Sequence, residues 1–545
     1  LRFLFILYFI YKTLLFIFPI YRSIIVKLRN DDTPYSYIGV KKMDFWSSKK
    51  GKMLEISILG ILTIFGIGSQ YFSNLAYSLN QGILQTSFSI GSQYLIIPSV
   101  IANFAFALGV PLGHTLTHKF EFRRNFLFFV TLFLIGSIIG LFSFDLIILS
   151  IAKGLQSLST GVLFFTLLPK LFLNFPRQYR NVFLLMVIVG LFGANALGGL
   201  SGSLSLELDR WHWIFIINII SAILCLILGS IFLTKEEYQH SEPIHISRPM
   251  IISLVLSTIA LTLPMGMLTQ KGYGSLWVWP ILIIAILFIV NFVVFNHEAK
   301  HPFVHFKTLL TKKPFVGATM AISSHLALLC GIAGINVYII RILKLPFTIS
   351  LHFYLFFFIG VIVTGFIKMF IYSAVGAGVL GTLGSSALLY VSVHWMILHD
   401  IVNIHLLYIQ GFLLGFGASM TLVSGAMATL LDGDLLQAGQ RSQTMHTIRN
   451  YAAAFLVPVI AYLIKYNIQK GTQSVYTENI TNTSIYIKRI KDIAIDADHK
   501  VFLLMIIFNS IMLVSSIIQM SLGKGRRITP PRSPKNPELH LNIHK

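Results

Sequence analysis

Charge is what this sequence has least of: 11% of its 545 residues are Asp, Glu, Lys or Arg while 55% are hydrophobic, and the mean hydropathy is +0.77. Uncharged apolar runs of about 18 or more residues recur from end to end, which excludes a soluble globule. Cysteine is nearly missing too. The two present, Cys225 and Cys330, both fall inside apolar runs, which excludes a disulfide framework and a thiolate metal site. Strands of alternating polarity about ten residues long are absent, so a membrane barrel is excluded. In lipid every backbone group needs a partner within its own segment, so the fold class is all-α, a polytopic membrane protein. Acidic residues number 20 against 42 basic ones, for a net charge of +22. The lysines and arginines form no long block but sit in gaps between apolar runs, a pattern of membrane topology rather than of a nucleic-acid partner.

What is there is a series of helix-length runs, at 54–78, 89–113, 125–144, 146–168, 181–203, 212–233, 249–269, 276–296, 315–340, 350–367, 369–393, 402–427, 444–464 and 501–521. That predicts fourteen transmembrane helices. With the lysine-rich segment before the first run placed in the cytoplasm, most basic residues fall on that side and both termini are cytoplasmic. Residues 1–26 form a further apolar stretch, broken by Arg2, Lys12 and Arg22. Counted as a span, it would put the Lys41–Lys52 cluster outside, against the charge rule. It reads as an upstream extension of a frame beginning at Met43 or Met53, with an interfacial helix or a start-codon variant as alternatives. The stretch 465–500 reads as a long loop, and it carries the glycosylation-like triplets Asn479-Ile480-Thr481 and Asn482-Thr483-Ser484.

The most legible part runs from Arg180 to Phe232. Its first run crowds Gly190, Gly193, Ala194, Ala196, Gly198, Gly199 and Gly202 into one helix, where missing side chains let a neighbouring helix approach. The expectation is a seam, with the glycine face packed on a helix of the other half of the molecule. The second run opens on Trp211-His212-Trp213-Ile214-Phe215-Ile216-Ile217-Asn218, tryptophans suited to the lipid boundary followed by an amide that needs a partner.

This pair resembles the fifth and sixth helices of the fourteen-helix drug:proton antiporters of the major facilitator superfamily, the EmrB-like branch. Val189-Gly190-Leu191-Phe192-Gly193-Ala194-Asn195-Ala196-Leu197-Gly198-Gly199 is similar to that family's antiporter motif, with Leu191 and Asn195 replacing its prolines. The resemblance extends from about residue 54 to 521 and implies a carrier, not an enzyme, working by alternating access about a midplane cavity. The implied domains are an N-terminal extension and cytoplasmic segment (1–53), a six-helix half (54–233), a linker with two extra helices (234–314), a second half (315–521) and a cytoplasmic tail (522–545). The implied partners are a small-molecule substrate, membrane lipid and a periplasmic adaptor protein, in a bacterial inner membrane; no cofactor and no metal are implied.

Further motifs carry the resemblance. Pro111-Leu112-Gly113-His114-Thr115-Leu116-Thr117-His118-Lys119-Phe120-Glu121-Phe122-Arg123-Arg124 is similar to the superfamily's cytoplasmic loop motif, with His118 at its aspartate and Lys119 for an arginine. It implies gating by His118, Lys119, Arg123 and Arg124, beside Gly190, Gly193, Gly198 and Gly199; the alternative is that these charges only orient helices. Lys153-Gly154-Leu155-Gln156-Ser157-Leu158 looks like the family's Arg-x-x-Gln-Gly signature. An ammonium deep in the bilayer costs about 2.5–3.5 kcal/mol on insertion scales, so Lys153 either reaches a cavity or snorkels to the boundary. The aspartate of the family's first span is here Ser69, followed by Gln70, Tyr71 and Asn74, and the spans hold only Glu55 and Asp145 as carboxylates. His325 is the alternative titrating group, or else a hydrogen-bonded structural histidine. Ala438-Gly439 with Arg449, and Glu298 with Pro302 and Phe306, keep further family spacings. Candidate substrate-lining residues are Gln70, Tyr71, Asn74, Lys153, Gln156, Asn195 and His325. The lost aspartate and the gained lysine point to a neutral or anionic substrate.

A rival of another class is a zinc-dependent intramembrane protease. His297-Glu298-Ala299-Lys300-His301 satisfies the His-Glu-x-x-His pattern, and Leu431-Asp432-Gly433 is similar to a distal motif of such enzymes. Pro302 works against helical geometry at His301, and the expectation is that the pair holds no catalytic zinc.

Overall fold

The computed structural model describes residues 49–174, 180–233, 248–299, 302–399, 402–432, 434, 437–477 and 483–525, apart from a few side chains that include those of His118 and Lys119. The expectations for residues 1–42 and for Asn479 and Asn482 lie outside this set. The chain divides into two compact units, Leu1–Glu55 and Ile56–Lys545, and the packing that follows belongs to the second.

Among the described residues all regular structure is helical, and thirteen helices are long and apolar enough to cross a membrane. One of them, Phe347–Met396, has 50 residues, about 75 Å at 1.5 Å per residue and more than two bilayer cores. It breaks at Gly376, where φ is 83° and ψ 176°, so it makes two crossings and the total is fourteen. Only glycine takes that backbone easily, and the carbonyl of Lys524 lies 2.6 Å from where its Cβ would be. The sequence pattern divides these two spans at Lys368; the structure moves the break to Gly376 and leaves Lys368 inside a helix.

The crossings are α1 (Lys49–Leu79), α2 (Ile96–Lys119), α3 (Phe122–Leu141), α4 (Leu146–Asn174), α5 (Arg180–Val187, a π-turn Ile188–Phe192, then Gly193–Leu208), α6 (Trp213–Phe232), α7 (Arg248–Lys271), α8 (Trp279–Glu298), α9 (Lys312–Asn336), α10 (347–375), α11 (377–396), α12 (Ile404–Leu431), α13 (Ala438–Thr477) and α14 (Thr483–Ser521). Their ends are set locally. Asp145 Oδ1 accepts from the Ile148 amide at 2.7 Å to cap α4, and Asn403 Oδ1 accepts from His405 and Leu406 to cap α12. Asp209, at φ 50°, closes α5 in the left-handed region.

Several helix pairs cross on glycine. Gly109 of α2 approaches the Leu158 carbonyl of α4, and Gly411 of α12 approaches the Phe353 carbonyl of α10. A Cβ at either site would stand within 2.7 Å of backbone, so these crossings are closed to any larger residue. The α7 and α8 pair lies at the periphery. Leu261, Met265 and Leu268 of α7 pack with Val100 and Phe104 of α2 and Ala454 of α13, whereas α8 exposes most of its length.

The expected long loop at 465–500 is corrected. Helix α13 runs on to Thr477 and α14 starts at Thr483, so nearly all of it is helix, and Gly471 meets Ile493 where the two extensions pack. Polarity ended the apolar runs there without ending the helices. Helix α8 ends at Glu298 with Ala299 extended at ψ 136°, so the helical face that a zinc-binding His297 pair requires is not continued past that residue. His301 lies outside the described residues.

Candidate functional site

Polar residues in α1 and α4 fall at helical spacing. Gln70, Asn74 and Tyr77 share one face of α1, and Lys153, Ser157, Thr160 and Phe164 share one face of α4, each three or four residues apart. The two faces meet. Gln70 Nε2 donates to Ser157 Oγ at 2.8 Å and to Asn74 Oδ1 at 3.3 Å, and Thr160 Oγ1 donates to Gln70 Oε1 at 3.3 Å. Asn74 Nδ2 reaches Asn103 of α2 at 3.4 Å. Lys153 Nζ donates to Ser73 Oγ at 3.1 Å and Asn74 Oδ1 at 3.3 Å, with the Tyr77 ring centroid 5.3 Å away.

Lys153 is therefore no snorkelling residue: it is 1% exposed and its ammonium is held by neutral oxygens of α1. The serine that replaces the family's glycine, Ser157, supplies the contact to Gln70. Gln156 faces the other way, its Nε2 donating to Ser137 of α3 at 2.8 Å. Asn195 is half-buried in α5 and is not joined to this network by a hydrogen bond. Ser69, at the family's aspartate position, donates to the Gly66 carbonyl of its own helix at 3.3 Å.

Helix α13 contributes a cationic group to the same region. Tyr71 of α1 and Arg449 of α13 are close electrostatic neighbours. The Arg449 guanidinium stands 5.9 Å from the Phe164 ring of α4, and the His446 ring 4.8 Å from the same phenyl. His325 of α9 lies within electrostatic reach of both Arg449 and His446. Arg449 is 4% exposed, yet its Nε and Nη2 have no partner, nor has Nδ1 of His325 or of His446. No carboxylate among the described residues interacts with Arg449 or Lys153; the partners of both are neutral groups or imidazoles. An open groove of about 380 Å³ lined by Leu389, Tyr390, Val393 and Ile397 lies on one face of α11 and contains none of these groups.

The glycine face of α5 divides between two neighbours. Gly190, Gly198 and Gly202 pack on Ile64, Phe72 and Ala76 of α1, while Gly193 and Gly199 meet Phe358 and Tyr354 of α10. For Gly190, Gly198 and Gly202 the expected packing on a helix beyond residue 315 is corrected, since their neighbour is α1; Gly193 and Gly199 do meet such a helix. At the end of the bundle where α1 finishes, Arg341 donates to Gln81 Oε1 at 3.1 Å. Arg123 donates to the Ser230 carbonyl at 2.7 Å and so caps α6 within its own half, with Arg124 exposed. Asn218 is fully buried, and neither of its amide atoms finds the partner expected for it.

Sequence reasoning missed four buried charged residues. Lys368 of α10 is 0% exposed and donates to the Ser419 carbonyl at 3.3 Å. Arg441 binds the carbonyls of Thr429, Leu430 and Asp434 and so closes the end of α12. Asp432 accepts from Gln519 at 3.2 Å, and Asp498 is fully buried in α14 with neither oxygen partnered. Glu55 and Asp145 are thus not the only carboxylates of the spanning helices. The signal that would have found the others is helix continuation past the apolar runs.

Comparison with known proteins gives one consistent result. The Major Facilitator Superfamily pattern matches residues 56–458. The MFS-type transporter YubD of Bacillus subtilis (strain 168) is 23% identical over 474 residues, covering 86% of this chain and 89% of that protein. The probable multidrug resistance protein EmrY of Escherichia coli (strain K12) is 24% identical over 249 residues, 45% of this chain and 47% of its own length. Among solved structures, an auto-inhibited POT family peptide transporter superposes with a TM-score of 0.50 at 13% identity, covering 87% of this chain and 99% of that one, a likeness of fold alone.

Proposed function

Because the chain belongs to the Major Facilitator Superfamily, we propose that it exports amphipathic small molecules by alternating access about the junction of its two halves. The observation that carries this reading is the buried cluster of polar and cationic side chains where α1 and α4 meet α13, with Lys153 held by Ser73 and Asn74 and Arg449 unpartnered at Nε and Nη2. Such groups are costly in a membrane and are retained where a solute must pass. The multidrug relative supports the substrate class. Gln70, Tyr71, Asn74, Lys153 and His325 are the residues we assign to the lining, joined by Arg449 and His446; Gln156 and Asn195 belong to its surroundings.

In this reading the protein sits in a bacterial cell membrane with the Phe120–Glu121 turn and both termini in the cytoplasm, which puts most lysines and arginines inside. The extensions of α13 and α14 then project outward, where a periplasmic adaptor would meet them. The halves are 54–233 and 315–521, with α7 and α8 as the added pair. No bond is made or broken, so the protein is a carrier rather than an enzyme. The test is uptake of a fluorescent cationic dye and a fluorescent anionic dye into inverted vesicles, with and without an imposed proton gradient. Uptake of either above vesicles lacking the protein is the expected result, and uptake of neither would overturn the carrier reading for this class.

A further inference from the structure

We propose that Arg449 is the docking point for the anionic head of the transported molecule, a carboxylate or similar planar oxyanion on an apolar body. The inference rests on the carrier reading and goes beyond it by fixing the substrate's charge. Its basis is the state of the guanidinium. Arg449 is almost fully buried, yet Nε and Nη2 are both unpartnered. Those two nitrogens form the side edge of the guanidinium, where two N–H groups point in parallel and match the two oxygens of one carboxylate. Tyr71 of α1 is its electrostatic neighbour across the junction.

Around that edge every ionisable neighbour carries either no charge or a positive one. His325 of α9 and His446 of α13 interact electrostatically with the arginine and have unpartnered Nδ1 atoms, Lys153 holds the adjoining face of α4 and α1, and no described carboxylate interacts with the group. A buried cation without a counter-ion carries an unrelieved desolvation cost, which an arriving anion offsets. A cationic drug would meet only repulsion. The walls suit an apolar body: Tyr71 stands edge-on to Phe106 at 6.1 Å, and Phe106 edge-on to Phe164 at 6.1 Å. The region lies between halves, so an anion bridging Arg449 of α13 and the α1–α4 face would be released when they part.

The test uses the full chain in phosphatidylcholine nanodiscs, which carry no anionic lipid to compete, and radiolabelled 2-naphthoate as the probe. Saturable binding displaced by 2-naphthalenesulfonate but not by 2-naphthylmethylammonium is expected. Arg449→Lys keeps the charge but loses the fork and should weaken binding at least tenfold; Arg449→Gln should abolish it, with unchanged elution in size-exclusion chromatography as the control for folding. If Arg449→Gln does not fold, Arg449→Lys alone decides. Naphthoate binding equal to wild type in Arg449→Lys, no saturable naphthoate binding, or tighter binding of the ammonium would each overturn the proposal. The two readings fail separately: dye uptake into vesicles without naphthoate binding leaves the carrier and removes the anion site, and the reverse result leaves the site and removes the carrier.

Discussion

At the scale of single residues, Lys153 separates stability from function. Its ammonium is buried against Ser73, Asn74 and the Tyr77 ring with no opposite charge beside it. Replacing a buried ion pair by apolar side chains of similar volume is commonly neutral or stabilising, by about 1–4 kcal/mol, and a lone buried ammonium leaves no opposite charge stranded when it is removed. Lys153→Met is therefore expected to give folded, membrane-inserted protein whose thermal midpoint is unchanged or raised, while vesicle transport is lost. Wild-type transport in that variant would remove Lys153 from the site, and a collapsed midpoint would make it a structural residue. Lys153 and His325 were legible in the sequence because each is a lone ionisable group in an apolar run. Lys368 and Asp498 were not, because each sits at the edge of such a run and reads as part of a loop. Arg449 stood in view only as a family spacing; what makes it informative, an unpaired guanidinium edge, is a property of its neighbours.

At the scale of elements, α5 shows how far a glycine pattern can be read. The crowding predicted close helix contact, and contact is there, but the pattern could not say which glycine faces which neighbour. Gly198 and Gly199 are adjacent and point to different helices. A Cβ at Gly198 would run into the Phe72 backbone of α1, which cannot move aside, whereas one at Gly199 would meet the Tyr354 side chain of α10. Gly198→Leu should therefore lower the yield of folded protein, by overpacking worth about 1–3 kcal/mol within one half. Gly199→Leu should fold and instead slow transport, because the clash lies where the halves slide past each other. Detergent-extracted yield and vesicle transport rate, measured on both variants, separate these outcomes; equal yields with normal cycling in Gly199→Leu would place the seam elsewhere. Helix ends were the least legible feature, as α13 and α14 show. Their extensions carry lysines and aspartates that end a hydrophobic run, yet pack on each other at Gly471 and Ile493 and so remain helical.

At the scale of the whole molecule, the open question is what drives the cycle. The family's carboxylate in the first span is absent, since Ser69 stands there and bonds to the Gly66 carbonyl of its own helix. Coupling through α1 would need a group that exchanges protons in the working range, and serine does not. The junction holds three ionisable groups of types able to do so once water reaches them: Lys153 on α4, His325 on α9 and His446 on α13. His325 and His446 both interact electrostatically with Arg449, so protonating either places a second positive charge beside the first. Opening of the junction toward an acidic exterior would hydrate the imidazoles and let them take up protons, which opening toward the cytoplasm would release. Export against a gradient then requires protons to move inward on the same groups. The expected outcome is that an acid-interior gradient across inverted vesicles accelerates uptake in wild type, and that His325→Gln and His446→Asn together abolish the acceleration while leaving downhill exchange intact. Acceleration that persists in the double variant but is lost in Lys153→Met would assign coupling to the lysine. Persistence in all three variants would mean that protons enter by a group outside the junction, and Asp498, buried and unpartnered in α14, would be the first to replace.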